Sequence, residues 1–532
     1  MNVRDATFDV LRHAGMTRVF GNPGSTEIPF LTDFPDDFEY VLGLHEGPIV
    51  GIASGYALGT GRPAFVNLHT AAGLGNAVNA IVCARDNRVP LVIAVGQQDR
   101  RQLALQPFLT GRALDRLAGD YPVWTTQPAH AHDVPAAIAR AAYEAAYRRG
   151  PALVVVPMGD WDEELPAARP VPAAPLRVSF EPAVAEDALR RLEALLARSE
   201  TPSLVVGAGI DTVGGWTAVT QLAERLACPV WQDAFSSRAG FPQDHPLFAG
   251  HLSWRRDGVR ASFGGHDLVI AVGTPGFRLY LYGEGPIVDP GTVVAVVSDD
   301  PEEAFRSPCD LAVLASPELV CAALADRIGQ RERAEPVVWR RPDPPDPASP
   351  LRAEHVVAAL GARLPVDAAL FEEAPSTRPE ILARIAIRAP GGFMAVANGA
   401  LGFGLSGAIG MRMAQPGRPV VALLGDGSAT YSVQGLWTAA RYGVGVVIVV
   451  VGNGRYQVMD ELAGLRGAPG AWPGFAELDL TSIARGLGCH AERVESHDRL
   501  EGALDEVLAD AATRSEPVLL DVRVGDAARR PA

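Results

Sequence analysis

Pro419-Val420-Val421-Ala422-Leu423-Leu424, closed by Gly425-Asp426-Gly427-Ser428, is the stretch whose reading decides the fold. A short apolar run, β-branched near its start and ended by glycine, reads as a fully buried strand. Residues 432–442 carry a helical pattern with Leu436, Ala439 and Ala440 on one face. Residues 446–451 read as a second buried strand, with Gly452-Asn453-Gly454 at its end. One strand–helix–strand unit therefore separates Asp426 from Asn453. Both side chains can converge on the crevice outside the strand ends, where open α/β sheets bind ligands. The glycines let backbone N–H groups approach a phosphate closely, and Ser428 adds a hydroxyl. One carboxylate, one amide oxygen and a backbone carbonyl from the following turn suit Mg²⁺, with diphosphate and water filling the remaining positions. The plain alternative is a doubly wound sheet whose Gly-Asp-Gly merely turns. The Asn-Gly at this spacing weighs against it.

The whole chain bounds that reading. Its 532 residues are too many for one ordinary core and suggest about three domains. Hydrophobic and charged contents of 48% and 20% are those of a globular protein. A formal net charge of −15 favours solubility and argues against nucleic acid or an anionic membrane surface as partner. Met1-Asn2-Val3-Arg4-Asp5 starts at once with charged, amphipathic sequence, so no signal peptide is expected. The longest apolar run, 444–451, falls far short of the ~20 residues that span a bilayer. Cys83, Cys228, Cys309, Cys321 and Cys489 are scattered, without CxxC spacing. They read as small buried hydrophobes in a reducing compartment, which predicts a cytoplasmic protein.

Two Pro-rich stretches, 165–175 and 335–350, read as extended linkers. They place domains at 1–165, 180–335 and 350–532, each alternating short apolar strands with helical patterns in the manner of parallel α/β domains. In the first piece three chemically useful side chains follow apolar runs. Ser25 ends the tight turn Gly21-Asn22-Pro23-Gly24-Ser25, and is either a ligand-binding hydroxyl or an N-cap. Glu46 enters the Gly/Ala-rich segment 47–57 and is either a partly buried proton carrier or a surface residue favoured by the helix dipole. His69 precedes Thr70-Ala71-Ala72-Gly73 and is either a titrating group or a satisfied core histidine. In the second piece Gly207-Ala208-Gly209 begins a dinucleotide fingerprint, but Thr212 stands at the third glycine.

Gly425-Asp426-Gly427-Ser428 with Asn453, Gly21-Asn22-Pro23-Gly24-Ser25, Leu44-His45-Glu46, Asn67-Leu68-His69 and Leu436-Trp437-Thr438-Ala439-Ala440 together resemble thiamine diphosphate (ThDP) enzymes of the benzoylformate decarboxylase kind. The likeness runs along nearly the whole chain and implies three doubly wound parallel-sheet α/β domains: pyrimidine-binding, middle and diphosphate-binding. It implies that Asp426, Asn453 and the carbonyl of Arg455 hold Mg²⁺ (or Ca²⁺). Ser376, Gly427, Ser428 and Tyr456 would contact the diphosphate side of ThDP. Gly399 would accept from N4′ of the pyrimidine, and Leu401 would press the cofactor into a bent shape. Glu46 would meet the pyrimidine N1′, Ser25 would hold a substrate carboxylate and His69 would carry a proton. Phe108, Leu109, Ala395, Val458, Met459 and Leu462 correspond to substrate-pocket positions. FAD, carried in the middle domain by some relatives, is not expected.

Three departures qualify the resemblance. Gly452 stands where the family usually has a first asparagine, which is not the metal ligand. Tyr280 stands where benzoylformate decarboxylase has a second catalytic histidine, and a phenol with an ordinary pKa near ~10 cannot replace an imidazole as proton carrier at neutral pH. Ala395 stands where the family has a phenylalanine, so the pocket reads as apolar but less aromatic. The implied activity is non-oxidative decarboxylation of a 2-oxo acid with an apolar side chain to an aldehyde and CO2. Alternatives are a carboligase or lyase acting on 2-hydroxy ketones with an acceptor aldehyde, an acetolactate synthase-like enzyme, or a non-catalytic ThDP-binding subunit. The family also implies sites shared between subunits and a homotetramer.

Overall fold

The computed structural model describes residues 1–166, 184–332 and 339–525. Parts of both Pro-rich stretches, including Pro170, Pro172, Pro175 and Pro336, lie outside the described residues. Three six-stranded sheets, parallel throughout, carry the chain. The first contains β1 (Arg18–Asn22), β2 (Glu39–Leu42), β3 (Ala64–Leu68), β4 (Leu91–Gln97), β5 (Trp124–Thr126) and β6 (Pro151–Pro157), in the order β2-β1-β3-β4-β6-β5. The second contains β7 (Pro202–Val206), β8 (Val230–Gln232), β9 (Phe248–His251), β10 (Leu268–Val272), β11 (Val293–Ser298) and β12 (Leu311–Leu314), in the order β12-β11-β10-β7-β8-β9. The third contains β13 (Ala369–Glu373), β14 (Phe393–Ala395), β15 (Val420–Gly425), β16 (Val447–Gly452), β17 (His490–Val494) and β18 (Val518–Arg523), in the order β14-β13-β15-β16-β18-β17.

Helices cover both faces of such sheets, and β3, β4, β6, β7, β10 and β16 are buried along their full length. That is why these strands read as continuous apolar runs instead of alternating ones. The first and third sheets share one strand order, a likeness that the sequence alone does not make legible. The helical pattern 432–442 forms the shorter helix Gly435–Arg441, and the amphipathic N-terminal segment forms the helix Val3–His13, started by Asn2, whose Oδ1 accepts from Asp5 N.

The first and third sheets meet through two helices, Glu46–Thr60 and Phe403–Ala414. A methyl group on Gly51 would stand 2.1 Å from Ser406 Oγ, and one on Gly55 would stand 1.9 Å from the Gly407 carbonyl oxygen. One on Gly410 would stand 1.8 Å from the Ile52 carbonyl oxygen. Only hydrogen fits at this seam. The contacting positions rise together along both helices, from Gly51 beside Gly402 and Ser406 to Gly59 beside Met411 and Ala414, so the pair is parallel. The middle sheet is tied to the first by Arg88 and Arg149, each 2.8 Å from an Asp299 carboxylate oxygen. The described cysteines are all free. Among the described residues no helix is long and apolar enough to cross a membrane.

Candidate active site

Strands β1, β2 and β3 are neighbours in the first sheet, with β1 in the centre, and their C-terminal ends carry Ser25, Glu46 and His69. Ser25 opens a single 3-10 turn, Ser25–Glu27, whose N-cap is Gly24. The cap role considered for Ser25 is therefore not the one it plays; it makes no capping bond and its side chain is exposed. The ring of His69 lies on the turn so closely that a methyl group on Gly24 would stand 2.4 Å from its Cγ and Nδ1. His69 Nδ1 is 2.9 Å from Thr26 Oγ1 and 3.0 Å from Glu27 Oε2. The Thr26 hydroxyl already donates to Glu27 Oε1 at 2.6 Å. With Glu27 ionised both neighbours of Nδ1 accept, so Nδ1 carries the hydrogen. Nε2, without a partner among the described residues, is the nitrogen open to proton exchange.

Glu27 is 1% exposed, and burial pushes its carboxyl pKa up against the opposing pull of Thr26, the Gly24 amide and His69. Sequence reasoning passed over Glu27 and Thr26. A signal was present: Glu27 follows the turn glycine at capping-box spacing, and its Oε2 accepts from Gly24 N at 2.8 Å.

Glu46 is the first residue of its helix, and its Oε2 accepts from Asn76 Nδ2 at 3.0 Å. Gly73 lies between Glu46 and His69: a methyl group there would stand 3.4 Å from Glu46 Oε1 and 3.6 Å from His69 Cβ. The helix Thr70–Asp86, which supplies Asn76 and Gly73, also docks the segment 395–401 of the third sheet. Asn79 Nδ2 donates to the Leu401 carbonyl at 2.9 Å. Asn87 Nδ2 donates to Ala395 O at 3.1 Å, its Oδ1 accepts from Ala397 N at 2.8 Å, and Asn398 Nδ2 donates to Asp86 Oδ2 at 2.7 Å. Gly399 has φ +74°, and no atom lies within 4 Å of where a Cβ would sit, so its backbone faces open space. Asn76, Asn79 and Asn87 were also missed, because isolated asparagines on a helix carry no motif.

In the third sheet β15 and β16 pair Gly425 with Val451, which sets Asp426 beside Gly452-Asn453. Asp426 is 4% exposed; Oδ1 accepts from Gly427 N at 2.8 Å and Oδ2 from Gly454 N at 2.6 Å. Burial pushes its pKa up, opposed by those two amides and by Arg523. Asn453 Oδ1 accepts from Arg455 N at 3.1 Å and its Nδ2 donates to Gln457 Oε1 at 3.0 Å, which fixes the amide plane. Tyr456 lies across Gly427, where a methyl group would stand 2.7 Å from Cε1, and meets the ring of Phe475 at 5.0 Å. Ser428 is buried. A methyl group on Gly425 would stand 3.9 Å from Ala374 Cα, so the turn leading to Ser376 borders the same crevice.

This donor set fits a hard divalent cation with a diphosphate: two oriented oxygen groups, a glycine floor that a Cβ would fill and a buried carboxylate held by amides alone. Among the described residues no group of three His, Cys, Asp or Glu side chains could hold a metal.

The remaining pocket positions are dispersed. Tyr280 is 59% exposed and stands between Phe235 and Trp254, at ring distances of 6.3 and 6.0 Å. Arg278 Nη1 donates to both Phe235 O (3.4 Å) and Ala397 O (3.3 Å), which brings this aromatic group to the 395–401 segment. Phe235 was not anticipated. Phe108, 88% exposed, and Leu109 lie on the loop after β4, open to solvent within one chain. Val458, Met459 and Leu462 lie on Gln457–Gly464, a helix with no buried residue. Ala395 differs: its side chain is in the apolar core of the third sheet, and its backbone alone meets Asn87 and Ser237.

The chain belongs to the thiamine pyrophosphate enzyme family. Family models match its N-terminal TPP binding domain over residues 1–116, its central domain over 189–324 and its C-terminal TPP binding domain over 380–522. Within that family it is 39% identical over 526 residues, 98% of each chain, to a benzoylformate decarboxylase of Pseudomonas aeruginosa. It is 30% identical, over 98% of this chain and 99% of the other, to a putative acetolactate synthase large subunit of Mycobacterium tuberculosis. Its fold superposes with TM-score 0.93 on a Rhodococcus jostii ThDP-dependent 4-hydroxybenzoylformate decarboxylase, at 33% identity over 99% of this chain and 100% of that one. The same TM-score, at 34% identity over 98% and 99%, relates it to benzoylformate decarboxylase from Polynucleobacter necessarius.

Proposed function

We propose that this protein is a ThDP- and Mg²⁺-dependent decarboxylase that converts a 2-oxo acid with an apolar side chain into an aldehyde and CO2. The observation that carries the proposal is the convergence of Ser25, Glu46 and His69 on neighbouring strand ends, with His69 oriented by Glu27. Asp426, Asn453 and the Arg455 carbonyl hold the metal, while Gly427, Ser428, Ser376 and Tyr456 line the diphosphate. When bound, ThDP supplies an electron sink for the pair left behind as CO2 departs. Ser25 Oγ donates to the substrate carboxylate and orients it. Glu46 holds a proton against the pyrimidine ring, with Asn76 fixing the direction of its carboxyl group. His69 Nε2 delivers the proton that completes the aldehyde, and Glu27 keeps that nitrogen turned outward. FAD has no part in this reading.

The bare Gln457–Gly464 helix and the exposed Phe108 support a site completed by a second copy, and we read the assembly as a cytoplasmic homotetramer whose chains divide into domains 1–165, 180–335 and 350–532. Light scattering that gives a monomer for the cofactor-loaded protein would remove that part. The activity itself is tested by CO2 release from a panel of aryl and alkyl 2-oxo acids with ThDP and Mg²⁺. No release from any member rejects a decarboxylase. Tyr280 favours a second reading, carbon–carbon bond formation with an acceptor aldehyde, since a tyrosine is a poor replacement for an acid–base histidine; 2-hydroxy ketone as the main product on adding aldehyde selects it.

Glu27→Gln keeps the side-chain shape but sets an amide donor against other donors. It is expected to lower kcat by roughly 10²-fold, at the low end of acid–base contributions, with KM nearly unchanged. Steady-state CO2 release checks this, and an unaltered kcat excludes Glu27 from the reaction.

A further inference from the structure

One buried carboxyl group near the site belongs to a residue given no role above. Glu373 is the last residue of β13, beside the switch point between β13 and β15. It is 4% exposed and makes no ion pair among the described residues; its neighbour Glu372 takes Arg378 instead. Glu373 Oε1 accepts from Gly402 N at 2.8 Å and Oε2 accepts from Gly404 N at 2.6 Å. Those amides flank the first residue of the helix Phe403–Ala414, whose own N-cap, Gly402, has φ +106° and no side chain to cap with. The approach is as close as chemistry permits: a methyl group on Gly404 would stand 2.7 Å from Glu373 Cβ.

Leu401 is thereby held from two sides. Asn79 grips its carbonyl at 2.9 Å, and Glu373 grips the amide of the next residue. We propose that Glu373 is a positioning residue that fixes Leu401 against the cofactor, and so sets the conformation of bound ThDP without touching cofactor or substrate. This rests on the ThDP reading above, in which Leu401 presses the cofactor into its bent shape. With φ +106°, position 402 favours glycine and can supply no side-chain cap of its own. Here the cap comes from another strand, the one at the switch point, so strand, helix and Leu401 move as one unit. Burial, which pushes the Glu373 carboxyl up to about 7, is opposed by the amides of Gly402, Gly404 and Phe403, so the group is kept inside by those bonds and by nothing ionic.

Glu373→Gln keeps length and shape but turns an NH2 toward one of the two amides, so one bond is lost and Gly402 or Gly404 shifts. The readout is deuterium exchange at the C2 hydrogen of bound ThDP, measured by quenched flow and NMR and normalised to bound cofactor, beside ThDP affinity by calorimetry and thermal unfolding. Exchange per bound cofactor is expected to fall ~10-fold or more, since a misplacement of about 1 Å costs up to ~10²-fold, while affinity changes by less than ~3-fold. Leu401→Ala should produce the same loss, and the double variant little more. A lower unfolding temperature with unchanged exchange per bound cofactor makes Glu373 a structural cap and overturns the proposal. If the glutamine variant does not fold, Glu373→Asp withdraws the carboxyl group by one methylene, and unchanged exchange there overturns it equally. A wild type that binds no ThDP defeats the family reading itself, an outcome distinct from a wild type that binds and exchanges while the variants match it.

Discussion

Asp426→Ala is expected to abolish saturable binding of ThDP at millimolar Mg²⁺ and to lower kcat/KM by ~10³-fold or more. The carboxylate is buried, its two oxygens are fixed by Gly427 N and Gly454 N, and among the described residues no side chain forms an ion pair with it, Arg523 acting only through its field. Such a group is costly to bury alone; a divalent ion at this point would offset the cost and join the turn to the diphosphate. Removing one member of a buried charge pair costs ~3–5 kcal/mol, which is ~10²-fold to several thousand-fold in binding. Alanine also leaves the Gly454 amide unpaired, so the Asn453 turn loses its anchor. Calorimetric titration checks the expectation, together with the loss of the rise in unfolding temperature that ThDP and Mg²⁺ give the wild type. Binding within a few-fold of the wild type would mean that the diphosphate is held elsewhere.

Glu46→Gln is expected to do the opposite in its balance: kcat falls by ~10²- to 10⁴-fold while ThDP affinity changes little. The two side chains have one shape, and Asn76 Nδ2 can donate to the glutamine oxygen as it does to Oε2 at 3.0 Å. What disappears is the ability to exchange a proton at Oε1, the oxygen facing the Gly73 side shared with His69. C2 exchange of the bound cofactor should be lost in parallel with CO2 release. Full activity in this variant would leave no enzymatic version of the mechanism standing.

The two variants also separate the halves of the site. Asp426 acts on whether the cofactor is present, and Glu46 acts on what the cofactor does once it is. Their side chains come from different sheets, and within one chain those sheets are joined through helices that touch at glycines, so neither sheet can shift along the seam without moving backbone into backbone.

Much of this was legible in the chain because it depends on short-range rules. Apolar runs ended by Gly-Asp-Gly or Asn-Gly mark buried parallel strands and place Asp426 and Asn453 together by register alone, as the pairing of Gly425 with Val451 requires. Ser25, Glu46 and His69 follow from the same rule, since each comes directly after an apolar run.

By itself, then, the sequence determined the three-sheet α/β architecture, the strand ends and the residues standing on them, because strand burial and turn chemistry are encoded within a few neighbouring residues. Only the tertiary structure decided which groups orient those residues. Glu27 turns His69, Asn76 directs Glu46, and Glu373 with Asn79 clamps Leu401, across separations of 42, 30, 31 and 322 positions. It also decided that the Ala395 side chain serves the core and that Tyr280 joins Phe235 and Trp254. The physical reason is common to all of these: a hydrogen bond or ring contact between distant segments is fixed by how the sheets pack, and leaves no periodicity or spacing in the chain to read.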